Sequence, residues 1–203
     1  GWGELVRGRV IGAVTGKDFR EGIRERIREP LGMADEVYIG VPEAQDSRCV
    51  MISGEGELRD NRRELRIAGL PSGGGYGTAR GITALYQMLL NGGTLHGRRI
   101  VSPRLIAYVS KNQTGEMPDA AMGGTPMHRG LGPHVRGESD RIRGLGTIGA
   151  PSVFGHGGAG SSYSWADPTS GVSFSYMTNH FSAEPWHTLR LDRIANIVHA
   201  AIN

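Results

Sequence analysis

Residues 153–179 read Val153-Phe154-Gly155-His156-Gly157-Gly158-Ala159-Gly160-Ser161-Ser162-Tyr163-Ser164-Trp165-Ala166-Asp167-Pro168-Thr169-Ser170-Gly171-Val172-Ser173-Phe174-Ser175-Tyr176-Met177-Thr178-Asn179. The spacing predicts three short strands. The first, 153–156, is a brief apolar run that closes on a glycine-rich turn. The second, 161–166, sets Tyr163 and Trp165 on one face and serines on the other. In the third, Val172, Phe174 and Tyr176 alternate with Ser173, Ser175 and Met177, the period of two that marks a half-buried strand. Residues 167–171 are turn formers, so the last two strands form an antiparallel hairpin. The glycines after His156 leave that strand end without side-chain bulk, so a ligand can approach its backbone.

Upstream, the pattern is mostly helical. Leu5, Val6, Val10 and Val14 follow helical spacing up to a stop at Thr15-Gly16, and Asp18 with Glu21 resembles a capping box. Phe19, Ile23 and Ile27 then share one face until Pro30. Both segments read as core-facing helices. The alternating charges of 24–29 read as a solvated helix face rather than a nucleic-acid patch. Residues 37–39 and 49–52 suggest short strands, 55–66 a charged surface loop, and 71–77 an irregular glycine loop. Thr78 is placed to cap a helix carrying Leu85, Met88 and Leu89 inward, ended by Asn91-Gly92-Gly93. Ser102-Pro103 starts another, with Leu105, Ile106 and Val109 as its stripe. Residues 113–150 are rich in glycine and proline, and 130–135 form a candidate strand beside 153–156. A last amphipathic helix spans 186–202, with Leu191, Ile194, Val198 and Ala201 inward.

The 203 residues suffice for one domain with a real core or two small lobes. The formal net charge of +3 gives no electrostatic footprint for nucleic acid. The single Cys49 excludes an internal disulfide and a multi-cysteine zinc site, and no apolar run reaches the roughly 18 residues of a membrane span. Residues 144–149 match the Gly-x-Gly-x-x-Gly fingerprint, but Ala150-Pro151 stand where its helix should begin. There is no Gly-x-Ser-x-Gly elbow, and the other histidines lack metal-ligand spacing. His156 remains the candidate catalytic residue. A histidine at a strand end before two glycines presents its ring to a cleft, and histidine is the side chain suited to proton transfer near neutrality. The alternative is a histidine that merely closes a strand.

His156-Gly157-Gly158, followed by Trp165-Ala166-Asp167-Pro168 and by a strand ending in Thr178-Asn179, resembles the penicillin-recognising serine hydrolases: class C-type β-lactamases, DD-peptidases and β-lactamase-like esterases. Their third motif is Lys-Thr-Gly, or a His-x-Gly or Trp-x-Gly variant. Val14-Thr15-Gly16-Lys17, Glu29-Pro30-Leu31-Gly32-Met33, Gly77-Thr78-Ala79-Arg80 and Asn91-Gly92-Gly93-Thr94-Leu95 stand in the family's order. The ordered set, more than any one tetrapeptide, carries the resemblance across essentially the whole chain. It implies an α+β, partial β-lactamase/transpeptidase-like fold: an antiparallel sheet with the C-terminal helix packed on it, plus a helical lobe. Residues 1–127 are then the mainly helical lobe and 128–203 the sheet segment, both parts of one domain. It also implies that Gly157, Gly158 and Ala159 line the substrate through their backbone, with the Ala159 N–H in an oxyanion hole. The implied substrate is a small-molecule ester or amide, with no cofactor, no metal, no nucleic acid and no membrane span.

The family's nucleophile stands in Ser-x-x-Lys, and a second motif contributes a tyrosine. The lysines are Lys17 and Lys111, neither with a serine three residues before it. Tyr108-Val109-Ser110 has the letters of the second motif but lies in a helical pattern. The start, Gly1-Trp2-Gly3-Glu4-Leu5-Val6, resembles family sequence just past the tyrosine motif. The expectation is the C-terminal part of a larger hydrolase, inactive alone. Its 172–178 edge is then open to an N-terminal fragment or to a second copy. The rival reading is a non-catalytic binding or assembly module on the same scaffold.

Overall fold

The computed structural model describes residues 2–54, 59–138 and 144–202. In chain order the helices are α1 (Trp2–Thr15), α2 (Phe19–Ile23), α3 (Arg63–Ala68), α4 (Ala79–Leu90), α5 (Pro103–Val109) and α6 (Trp186–Ala200). The strands are β1 (Val37–Ile39), β2 (Gly75–Gly77), β3 (Thr94–Leu95), β4 (Arg98–Arg99), β5 (His134–Val135), β6 (Phe154–Gly157), β7 (Ser162–Asp167) and β8 (Val172–Met177). Side chains set the helix starts where the sequence places them. Asp18 accepts from the Arg20 N–H at 2.8 Å, Thr78 from Gly81 at 3.0 Å and Ser102 from Leu105 at 3.1 Å. The capping box is only half formed, because the Glu21 side chain pairs with Arg24 instead of returning to Asp18. Gly92 and Gly93 both take positive φ after α4, the left-handed ending that glycine allows.

Two compact units result. One comprises Gly1–Ile82 with Thr178–Phe181, the other Thr83–Met177 with Ser182–Asn203. In the first, β1 and β2 pair antiparallel with Tyr38 opposite Tyr76. The glycine loop thus contains a strand after all, since a Cβ on Gly74 would sit 2.2 Å from the Leu70 N atom and only glycine permits the approach. Of the stretch read as charged loop, 55–58 lie outside the described residues, while 59–61 form a 3₁₀ turn and 63–68 form α3. Residues 49–52 are not a strand; a 3₁₀ helix, Glu43–Arg48, precedes them, and Ser53 makes an isolated bridge to His180. Beyond α2 the helix widens into a π-turn, Arg24–Arg28, and Arg28 is buried against the Tyr38 ring rather than solvated.

α1 departs from its core-facing assignment. Val6, Val10 and Val14 are 60%, 54% and 81% exposed. The helix packs instead by its small residues: a Cβ on Gly8 would meet Pro71 at 3.1 Å and Phe19 at 3.4 Å. In α5, likewise, Ile106 is buried but Leu105 is largely exposed.

The second unit holds a four-stranded antiparallel sheet in the order β5-β6-β7-β8. The β7–β8 hairpin closes on Asp167, which accepts from the Thr169 N–H and the Ser170 hydroxyl, while Gly171 takes φ 75°. On one face Tyr163, Trp165, Val172, Phe174 and Tyr176 pack on Leu191, Ala195 and Val198 of α6. On the other, Phe154, Ala166 and Val135 pack on Tyr86, Leu89 and Leu90 of α4. β7 is therefore buried on both faces, with Ser164 inside as well as Trp165. The alternating serines sit under α4, where small side chains let a helix approach.

Candidate active site

β6 runs from the buried Phe154 to His156, whose side chain is exposed. The flanking glycines are dictated by the neighbouring strand. A Cβ on Gly155 would stand 2.2 Å from the Ser164 carbonyl oxygen, and one on Gly157 2.6 Å from the Tyr163 ring. Their absent side chains thus admit β7 to β6. His156 Nδ1 lies 2.8 Å from the Gly157 carbonyl oxygen. A carbonyl only accepts, so in the neutral ring Nδ1 carries the proton and Nε2 keeps its lone pair. Among the described residues, no hydrogen bond engages Nε2.

The His156 ring is backed by His134 of β5, with ring centres 4.6 Å apart and planes inclined by 31°. His134 is anchored at both nitrogens: Nε2 lies 2.8 Å from Arg129 Nη1, and Nδ1 3.1 Å from the Tyr163 hydroxyl. Guanidinium always donates, so Nε2 accepts and the Nδ1–H of His134 points at Tyr163. Arg129 is held in turn by Asp119 at 2.9 Å. Tyr86 of α4 packs its ring against Phe154 of β6, centres 6.4 Å apart, and burial pushes its phenol up to about 12. Sequence reading missed His134 and Tyr86. The only available signal was the 130–135 strand beside 153–156, whose register sets His134 opposite Gly155.

After β6 the chain turns through 158–160. The Gly158 N–H donates to the Ser162 carbonyl at 3.0 Å, and the Gly160 carbonyl accepts from the Ser182 N–H at 2.9 Å. Ala159 is exposed, and among the described residues nothing claims its N–H. His156, Gly157, Gly158 and Ala159 thus stand together at one strand end, one exposed imidazole beside one uncommitted backbone donor. The fingerprint look-alike 144–149 opens no helix. It folds as turns against α6, where His199 Nε2 lies 2.9 Å from the Leu145 carbonyl oxygen.

An antiparallel sheet carried between α4 and α6 matches the fold of the β-lactamase-like serine hydrolases and esterases. The chain belongs to the Beta-lactamase family, whose model matches residues 3–199. It is 29% identical, over 219 aligned positions, to the esterase/beta-lactamase LipL of Mycobacterium tuberculosis, a match covering 88% of this chain and 46% of that protein. Among solved structures it is similar to a penicillin-binding protein homolog from Caulobacter crescentus, with TM-score 0.77, 24% identity and coverage of 96% of this chain and 56% of that one. It is also similar to a family VIII carboxylesterase, with TM-score 0.73, 27% identity and coverage of 93% and 55%. The chain spans about half the length of these relatives.

Proposed function

We propose that this chain forms the His-Gly-Gly wall of an acyl-transferring serine hydrolase of esterase or peptidase type, and that the serine is supplied from outside these 203 residues. In the reaction, the serine oxygen bonds to the substrate's acyl carbon. The alcohol or amine leaves with a proton, and water then cleaves the acyl-enzyme, restoring the serine. His156 hydrogen-bonds the substrate's carbonyl or carboxylate, and the Ala159 N–H donates to the oxygen that becomes negative. The observation that carries this reading is the exposed His156 imidazole standing beside an uncommitted Ala159 N–H. Lysine, where the family has it, is a permanent cation for a substrate carboxylate, whereas histidine is one only when protonated. Esters and amides therefore suit this site better than β-lactams. The outer edge of β8 is where the complementing part of the same protein pairs.

The test begins with the open reading frame that contains this sequence, expressed in full. A fluorophosphonate probe is expected to label the serine of a Ser-x-x-Lys segment, and the product to hydrolyse p-nitrophenyl butyrate. The 203-residue chain alone is expected to do neither. Turnover by the chain alone that vanishes on mutating one of its own serines overturns the reading. So does a full reading frame that is neither labelled nor active, which is what a non-catalytic binding module predicts.

A further inference from the structure

Two side chains of α6 hold the turn that carries Ala159, and neither has a part in the reaction proposed above. Arg190 Nη2 lies 3.3 Å from the Gly160 carbonyl oxygen and 3.2 Å from His187 Nδ1. A guanidinium nitrogen only donates, so Nδ1 accepts and the neutral His187 ring carries its proton on Nε2. The His187 ring is buried. The Arg190 guanidinium is itself seated over the Tyr176 ring, 5.6 Å from its centre. The Gly158 N–H is bonded to the Ser162 carbonyl and the Gly160 carbonyl to Arg190, so Ala159 stands between two fixed points of the turn.

We propose that His187 and Arg190 are positioning residues: Arg190, held by His187, anchors the Gly160 carbonyl so that the neighbouring Ala159 N–H is preset as a donor, and a proton on His187 Nδ1 displaces Arg190 and frees the turn. The inference rests on the reading of Ala159 as an oxyanion donor. A second proton on His187 would set an N–H against the Arg190 guanidinium. The groups facing the ring are Arg190 and Glu184 from its own helix region and the Gly158 backbone from the turn. Burial outweighs the pull of Glu184 and holds the ring below the ordinary histidine range. The hold is thus complete at neutral pH and lost in acid.

Two amides report the turn without reference to activity: Gly158, bonded to Ser162, and Ser182, bonded to Gly160. In the ¹⁵N-labelled 203-residue chain, both are expected to exchange with solvent at least tenfold faster in His187→Ala and in Arg190→Met, with the Trp165 amide of β7 unchanged. In the wild type the same acceleration, after correction for intrinsic exchange, is expected as the pH falls into the acid range. His187→Gln, which keeps a neutral acceptor for Arg190, is expected to stay within twofold of wild type and to lose the pH dependence. In the full reading frame, His187→Ala should lower kcat at least tenfold with KM within twofold, and His187→Gln should restore it. If His187→Ala does not fold, Arg190→Met and His187→Gln carry the comparison. Unchanged exchange at both amides overturns the hold, whatever the activity. A loosened turn with unchanged kcat overturns its role in presenting Ala159. An inactive wild-type reading frame is instead a failure of the proposed function, recognised before any variant is made.

Discussion

His156 differs from His134, the other histidine of the sheet strands, because only one of its two ring nitrogens is engaged. Nδ1 is committed to the Gly157 carbonyl, while Nε2 remains for a ligand. In an active reading-frame product, His156→Ala is expected to lower kcat/KM for p-nitrophenyl butyrate by roughly 10²–10⁴-fold. The thermal midpoint should fall by only a few degrees, since the main packing contact of the exposed ring is with His134. Unchanged kcat/KM would mean that the residue only closes its strand. His134 acts one step back, through the stacked ring, and such a contact is worth about 0.5–1.5 kcal/mol. His134→Ala should therefore cost about tenfold in kcat/KM, and His134→Phe, which keeps a ring face, should recover part of it. Tyr86 gives a separate alkaline signature. Its folded phenol is raised from 10.0 to about 12, so below pH 10 folded and unfolded chains are both protonated and no stability is at stake. Between pH 10 and 12 the unfolded phenol ionises while the folded one resists, so stability falls as pH rises. Urea unfolding at pH 9 and pH 11 measures the loss, and Tyr86→Phe should remove its own share of it.

At the scale of elements, β6 and β7 depend on a single missing Cβ. Gly155→Ala would bring the methyl to 2.2 Å from the Ser164 carbonyl oxygen and 2.7 Å from Trp165 Cβ, backbone and core that cannot yield separately. The expected cost is about 3 kcal/mol or more, enough to unfold a marginal domain, and thermal denaturation followed by circular dichroism reads it. A wild-type midpoint in this variant would mean that the two strands can separate locally. This glycine shows which parts of the fold can be read from sequence. The strands 153–179 and their turn are legible because period-two spacing and turn chemistry are local properties. The Thr78 and Ser102 caps are legible for the same reason. That β7 is buried on both faces is not, because the serine row looks solvated until α4 is known to lie over it. The valines of α1 mislead for the opposite reason: a helical stripe does not say whether it is covered. At the site, His156 and Ala159 sit in one contiguous segment and can be found by reading along it. His134, Tyr86 and His187 reach the same place through strand register and helix packing, which no spacing rule encodes.

Across the whole molecule, the feature with the largest consequence is the outer edge of β8. The order β5-β6-β7-β8 leaves this six-residue strand with one neighbour among the described residues. Its faces are partly covered. Val172, Phe174 and Tyr176 pack toward α6, and the Ser173 hydroxyl donates to Gln87 of α4 at 2.9 Å. What stays open is the edge itself, a row of backbone donors and acceptors that a further strand can satisfy. Between Val172 and Met177 the usual defences are absent: the strand carries no lysine, no proline and no inward charge. The 203-residue chain is therefore expected to pair along β8, with the complementing part of the full reading frame when that is supplied and otherwise with itself. Size-exclusion chromatography with light scattering over a hundredfold dilution should show mass rising with concentration. Val172→Lys or Ser175→Pro should shift the population toward monomer, and co-expressed complementing polypeptide should compete with self-association. A monomer at every concentration, whose 172–177 amides exchange freely, would mean that this edge is defended by something other than pairing.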